Sequence, residues 1–203
     1  MFEKRVIRQL KKGNLFLVIV LVIVLVACGQ KKEIPNSTDW LIEDFSAQNQ
    51  DQETVTLADL KGKVWMANFI FTNCIDVCPP MTSNMSQLQV ELKEQGIENV
   101  NFVSFSVDPK VDTPEVLKKF ADQFSVDYTN WDFLTGYDQQ YIENFARENF
   151  KMAVVKPENS DLVVHGVSFF LVNQEGEAVQ SYPGNEKLPT EEIIKHIKIL
   201  QNY

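Results

Sequence analysis

Apolar and polar positions along the chain fall into segments of two distinct periods. Residues 64–71 (VWMANFIF) are almost wholly apolar, the pattern of a central strand covered on both faces. Residues 100–107 (VNFVSFSV) and 167–172 (VSFFLV) predict two more buried strands. Residues 131–134 predict a short strand, and 177–182 a partner for 167–172 across the turn at 173–176. Between these runs the apolar positions recur at helical spacing. Met81, Met85, Leu88 and Leu92 make one stripe, with Pro79 fitting a first helical turn and Gly96 a stop. Thr113-Pro114 is a cap followed by a first-turn proline, and it opens a helix with Val116, Leu117, Phe120 and Phe124 inward. Tyr141, Ile142, Phe145 and Phe150 mark a helix within 137–150. A last helix from Thr190 buries Ile193, Ile194, Ile197 and Leu200, with His196 on its exposed face. Residues 40–45 and 54–57 predict an N-terminal hairpin. The order predicts an α/β fold, a central sheet flanked by helices on both faces.

The start of the chain follows neither period. Residues 1–14 carry Lys4, Arg5, Arg8, Lys11 and Lys12 against Glu3, and an unbroken apolar run of 13 residues extends from 15 to 27. That run is shorter than the roughly 20 residues a spanning helix needs, and its flanks are those of an export signal. Leu25-Val26-Ala27-Cys28 looks like a bacterial lipobox, which implies cleavage before Cys28 and acylation of its sulfur. The alternative is an uncleaved N-terminal anchor with an incidental cysteine. Residues 1–27 are therefore expected to be a lipoprotein signal peptide, and the polar stretch 28–38 a tether to the membrane. Residues 39–203 are expected to form one domain at the extracytoplasmic face of the cell membrane. Removing the signal takes away five of 19 basic and one of 28 acidic residues, so the formal charge moves from −9 to −13. No basic patch survives to follow a phosphate backbone, which argues against nucleic acid as a partner. The acidity reads first as a solvated surface that keeps the domain soluble.

Two cysteines remain, Cys74 and Cys78, in the segment TNCIDVCPPM. They are too few for a disulfide scaffold, and so short a loop gains little from a covalent staple. On a helical turn their spacing sets the Cα atoms roughly 6 Å apart. That suits either an intramolecular disulfide or two thiolates sharing one soft metal ion. A cysteine pair between a buried strand and a helix is the placement of a thioredoxin-like active site, where the field of the helix N-terminus favours thiolate. His165, just before the strand at 167–172, would reach the same end of the sheet if the two strands are neighbours. A neutral imidazole beside two thiolates makes a site suited to copper in either oxidation state, Cu(I) or Cu(II). Without a metal, His165 is a capped loop residue. Asp76 reads as a solvated residue between the cysteines, Asp108 and Asp112 as loop-shaping residues near the site, and Met81 and Met85 as core.

The domain resembles the Sco/SenC group of thioredoxin-fold copper proteins from about Asp39 to the C-terminus. The resemblance rests on Cys74-Ile75-Asp76-Val77-Cys78-Pro79, Ser106-Val107-Asp108-Pro109 with Asp112-Thr113-Pro114, Leu134-Thr135-Gly136, and His165 before the Phe-rich strand. It implies copper ligation by Cys74, Cys78 and His165. It also implies a metallochaperone role in assembling the CuA centre of cytochrome c oxidase subunit II. Some members of the group act on thiols, so a thiol–disulfide oxidoreductase using Cys74 and Cys78 as a redox pair stays open, as does a copper or redox sensor. Three residues between the cysteines, and no proline in His165-Gly166-Val167-Ser168, set the chain apart from generic thioredoxins.

Overall fold

In the computed structural model, which describes residues 34–158 and 160–201, the elements begin with β1 (Trp40–Leu41), β2 (Ser46–Gln48), β3 (Thr54–Thr56) and a one-turn α1 (Leu57–Leu60). The central strand β4 (Val64–Ile70) leads to α2 (Cys78–Glu94), β5 (Val100–Ser106) and α3 (Pro114–Ala121), which ends in a 3-10 turn. There follow β6 (Trp131–Leu134), α4 (Gln139–Phe150), β7 (Val154–Val155), β8 (Val164–His165), β9 (Ser168–Val172), β10 (Glu177–Pro183) and α5 (Thr190–Leu200). The expected export signal, Cys28 and the start of the expected tether lie outside the described residues. Among the described residues no helix is long and apolar enough to cross a membrane.

The architecture is α/β, a six-stranded mixed sheet in the order β1-β10-β9-β4-β5-β6. Every residue of β4 is buried, as an uninterrupted apolar run requires. β5 and β6 run parallel to it, whereas β9 lies antiparallel on its other side with Ala67 opposite Phe170 and Trp65 opposite Val172. One face of the sheet carries Phe69, Phe105 and Phe170, which pack on Phe145 and Phe150 of α4; the Phe69 and Phe105 rings stack with centroids 5.3 Å apart. The opposite face meets α5 through Tyr182 and His196, and the turn that follows α2 reaches the end of α5 through Lys198–Gln95 and Gln201–Glu98 contacts.

Local signals explain most boundaries. Met81, Met85, Leu88 and Leu92 are all buried. Gly96 ends α2 at φ +67° in a two-bond cap: its N–H reaches the Lys93 carbonyl, and that of Ile97 reaches Leu92. Thr113 caps α3 through Val116 N–H. The inward stripe of α3 is Leu117, Phe120 and Ala121; Val116 is exposed, because one residue off the stripe turns a side chain about 100° away, and Phe124 is half-buried in the 3-10 turn, where the α-helical period has ended.

Two expectations are corrected. The N-terminal hairpin forms between β2 and β3, not from 40–45, and β1 instead pairs with β10 at the sheet edge. Asn49 decides this register: its side-chain oxygen accepts N–H groups from both Asp51 and Glu53, closing the turn between the strands. His196 is buried, not exposed. It follows Ile193 by three residues and so shares the inward stripe, where Nδ1 lies 2.7 Å from the Tyr182 hydroxyl.

Phe69 is fully buried at the centre of the aromatic layer, and Phe69→Ala should cost about 3–5 kcal/mol in urea unfolding. A loss below about 1 kcal/mol would mean the layer closes around the gap and does not depend on this ring.

Candidate metal centre

The parallel strands β4 and β5 both end at one edge of the sheet, and β9, running the other way, begins there. In open α/β sheets this carboxyl edge is where ligands gather. The chain leaves β4 through Phe71 and Thr72, turns with Cys74 N–H bonded to the Phe71 carbonyl, and starts α2 at Cys78. The pair is therefore not carried on one helical turn: Cys74 lies in the loop and only Cys78 in the helix.

The helix start is unusual in its donors. Its N-cap, Val77, contributes no side-chain acceptor, and Pro79 and Pro80 have no N–H to offer. The Cys78 N–H is left as the donor of that first turn, and it points to Cys74 Sγ at 3.3 Å. An N–H directed at a sulfur stabilises negative charge on it, so the helix field acts on Cys74. Cys78 is placed oppositely. It is 0% exposed against 7% for Cys74, and burial pushes its thiol well above the usual range, with the neighbouring Cys74 sulfur and the Asp112 carboxylate adding to the effect. Both cysteines carry free thiols.

His165 is the last residue of β8, paired with Val154 of β7, and β9 follows directly. The ring is held on three sides. Nδ1 lies 2.8 Å from the Gly166 carbonyl, the Phe71 ring stands edge-on at 5.7 Å, and Nε2 lies 3.8 Å from Cys78 Sγ. A carbonyl only accepts, so Nδ1 carries the proton and Nε2 presents its lone pair to the sulfur. Burial lowers the imidazole pKa against the smaller opposing effect of the Gly166 carbonyl, which keeps the ring neutral at neutral pH.

These donors fit a soft or borderline ion. A thiolate and an imidazole bound at about 2.3 and 2.1 Å stand about 3.6–3.8 Å apart when the angle between them is near 110–120°, which matches the Cys78–His165 separation. The open edge is the third: among the described residues no three Cys, His, Asp or Glu side chains already stand at metal-holding spacing, and no polar contact joins Cys74 to His165.

Two buried carboxylates stand behind the site. Asp112 accepts the Thr72 hydroxyl at 2.5 Å, the Thr72 N–H at 3.2 Å and the Ser106 hydroxyl at 2.6 Å, tying the cysteine loop to the end of β5. Burial raises its pKa despite these donors. Asp108 pairs with Lys156 at 2.5 Å, directly after β7. The Lys156 pairing has no simple sequence signature. The β7–β8 ribbon does have one, in two short apolar stretches, 152–155 and 162–164, flanking a polar turn. Asp76 is exposed; Met81 and Met85 are in the core. Ile75 at the loop tip is 85% exposed, and Val155 and Val164, opposite each other in the ribbon, are exposed too.

Comparison with known proteins adds an independent line. The family model SCO1/SenC matches residues 35–202. The SCO1 protein homolog of Bacillus subtilis (strain 168) is 46% identical over 194 residues, 96% of each chain. Three solved structures superpose well. A SCO1/SenC family lipoprotein from Bacillus anthracis gives a TM-score of 0.80 at 47% identity, over 83% of this chain and 99% of that one. BsSco, a member of the Sco family of cytochrome c oxidase assembly proteins in which a disulfide switch was identified, gives 0.77 at 47% identity, over 83% and 98%. Arabidopsis thaliana ScoI with copper bound gives 0.67 at 27% identity, over 80% and 99%.

The asymmetry of the thiols is measurable by alkylation. The Cys78→Ala variant, which keeps Cys74, should react on the order of tenfold or more faster than Cys74→Ala near neutral pH. In Cys74→Ala the rate should still be climbing past about pH 8.5, where an ordinary thiol is half ionised. Equal rates and equal pH profiles would show that burial does not separate the two sulfurs.

Proposed function

The chain belongs to the SCO1/SenC family, and from that premise we propose that it is a copper metallochaperone that assists assembly of the CuA centre of cytochrome c oxidase subunit II. Its cargo is one copper ion held by Cys74, Cys78 and His165 and released by ligand exchange to the partner's own thiols and imidazoles. The observation that carries this reading is the His165 Nε2 lone pair, directed at Cys78 Sγ from 3.8 Å by a proton fixed on Nδ1. Two thiolates and one imidazole suit both Cu(I) and Cu(II), because sulfur favours the first and nitrogen accommodates the second. The copper-bound Arabidopsis relative and the oxidase-assembly role named for BsSco support the assignment.

In this reading residues 1–27 are removed, Cys28 is acylated, residues 28–38 form the tether, and the domain works at the extracytoplasmic face of the membrane. The Bacillus anthracis relative, itself a lipoprotein, supports this placement.

A second reading is favoured by a separate observation, the difference in exposure between the sulfurs. As a thiol–disulfide oxidoreductase, the Cys74 thiolate would attack a partner disulfide, forming a mixed disulfide and releasing one partner thiolate. Cys78 would then displace the second partner thiol, leaving a Cys74–Cys78 disulfide and a partner reduced by two electrons. This chemistry uses no imidazole, so the two readings separate at His165.

Copper titration of the reduced full-length protein in detergent should give one ion per chain. His165→Ala should weaken binding on the order of 100-fold or more while leaving disulfide exchange with a model disulfide largely intact. Wild-type affinity in His165→Ala would defeat the three-ligand site and favour the redox role. Affinity should also fall as pH falls, because both thiols must lose their protons and the imidazole must stay neutral to bind, and Cys78 holds its proton tightly. Binding that is flat between pH 8 and 5 would contradict thiolate ligation.

A further inference from the structure

The two halves of the site come from distant parts of the chain, 87 residues apart between Cys78 and His165, yet both are gripped by one short segment at the end of β5. Asp112, fully buried, holds the cysteine loop through the N–H and hydroxyl of Thr72. Asp108, 1% exposed, holds the histidine ribbon through Lys156, the residue that leaves β7. The two carboxylates are fixed to each other: Asp112 N–H bonds the Asp108 carbonyl at 2.9 Å, and the Ser106 hydroxyl donates to Asp112 while accepting the Asp108 N–H. The ribbon is anchored a second time at its backbone, where Lys156 N–H donates to Glu143 of α4.

We infer that residues 106–112 form a two-carboxylate clamp that sets the distance between sulfur and imidazole, with Asp112 positioning the cysteines and the Asp108–Lys156 pair positioning His165. The ribbon is two residues wide on each strand, with Val154 buried against the core and Val155 and Val164 exposed, so its apolar contact is small and the polar anchors add to it. The ion pair is nearly enclosed, with 20% of Lys156 and 1% of Asp108 reaching solvent, which is the setting where such a pair is specific in geometry and costly to break on one side. Neither Lys156 nor Asp108 makes a hydrogen bond or ion pair with either sulfur or the imidazole. They are positioning residues.

This inference rests on the three-ligand reading, and its test separates the two. Lys156→Met keeps the aliphatic stem and removes the charge. In metal-free full-length protein in detergent, it should weaken the NMR contacts between the His165 and Phe71 rings while leaving the alkylation rates of the cysteines unchanged. Copper affinity should fall about tenfold or more, within the range found when groups that orient ligands are lost. The nitrogen coupling of His165 in the Cu(II) spectrum should diminish, and Lys156→Arg should restore both. Asp112→Asn should do the reverse, altering the alkylation rates while leaving the His165–Phe71 contacts in place. The double variant Asp108→Asn with Lys156→Met leaves no lone buried charge and should reproduce Lys156→Met if the single variant folds poorly. Unchanged ring contacts and unchanged affinity in both Lys156→Met and the double variant would overturn the clamp. Equal disturbance of cysteines and histidine by all these variants would overturn the division of labour. If His165→Ala alone binds copper normally, the three-ligand reading fails, and the ring contacts of the metal-free protein still decide whether the clamp exists.

Discussion

The antiparallel entry of β9 beside β4 is the constraint on which the site depends. Three residue pairs, from Ala67–Phe170 to Trp65–Val172, fix that alignment. Had β9 run parallel, its leading segment would have emerged at the amino edge of the sheet, a full strand length from the cysteines. Because it runs antiparallel, the residue before the strand arrives where β4 ends, and a contact of 3.8 Å spans most of the domain's sequence. The aromatic layer beneath, with Phe69 between Phe105, Phe150 and Phe170, holds that alignment rigid, since close-packed rings resist sliding by a fraction of a residue.

On this scaffold the electrostatics of the site are divided between its parts. Burial keeps Cys78 and His165 neutral, whereas the Cys78 N–H gives Cys74 a donor suited to an anion. Asp112 brings a carboxylate close behind the sulfurs, but its oxygens are occupied by Thr72 and Ser106, so its role is to tie backbone rather than to ligate. The same geometry accommodates ion binding and disulfide exchange, which need thiolate at the same sulfurs.

Much of this was legible in the sequence because burial and period coincide. The unbroken run at 64–71, the Phe-rich strand after His165 and the Met/Leu stripe of α2 each allow one structural solution, and the α/β class follows from their order. The cysteines and His165 stood out because the residue types are rare in this chain. Most of what was not legible depended on partners far away. His196 lies on the inward stripe of its helix, but the Tyr182 hydroxyl that satisfies its ring there is in a neighbouring strand, and the pairing of β1 with β10 joins residues about 140 positions apart. The hairpin register was missed for a local reason, one Asn49 oxygen that takes two turn N–H groups, and the docking of the histidine ribbon turns on a lysine that resembles any other surface lysine until Asp108 is beside it. Pro79 was read only as compatible with a helix start; the effect of Pro79 and Pro80 together on the donors emerges from the hydrogen bond that remains.

Those prolines have one more consequence. Their rings fix two successive backbone angles before the chain folds, so the first turn beyond Cys78 has little conformational freedom left to lose. That part of the ordering cost is met in the disordered chain, so the folded turn directly behind Cys78 is stabilised without a single added contact.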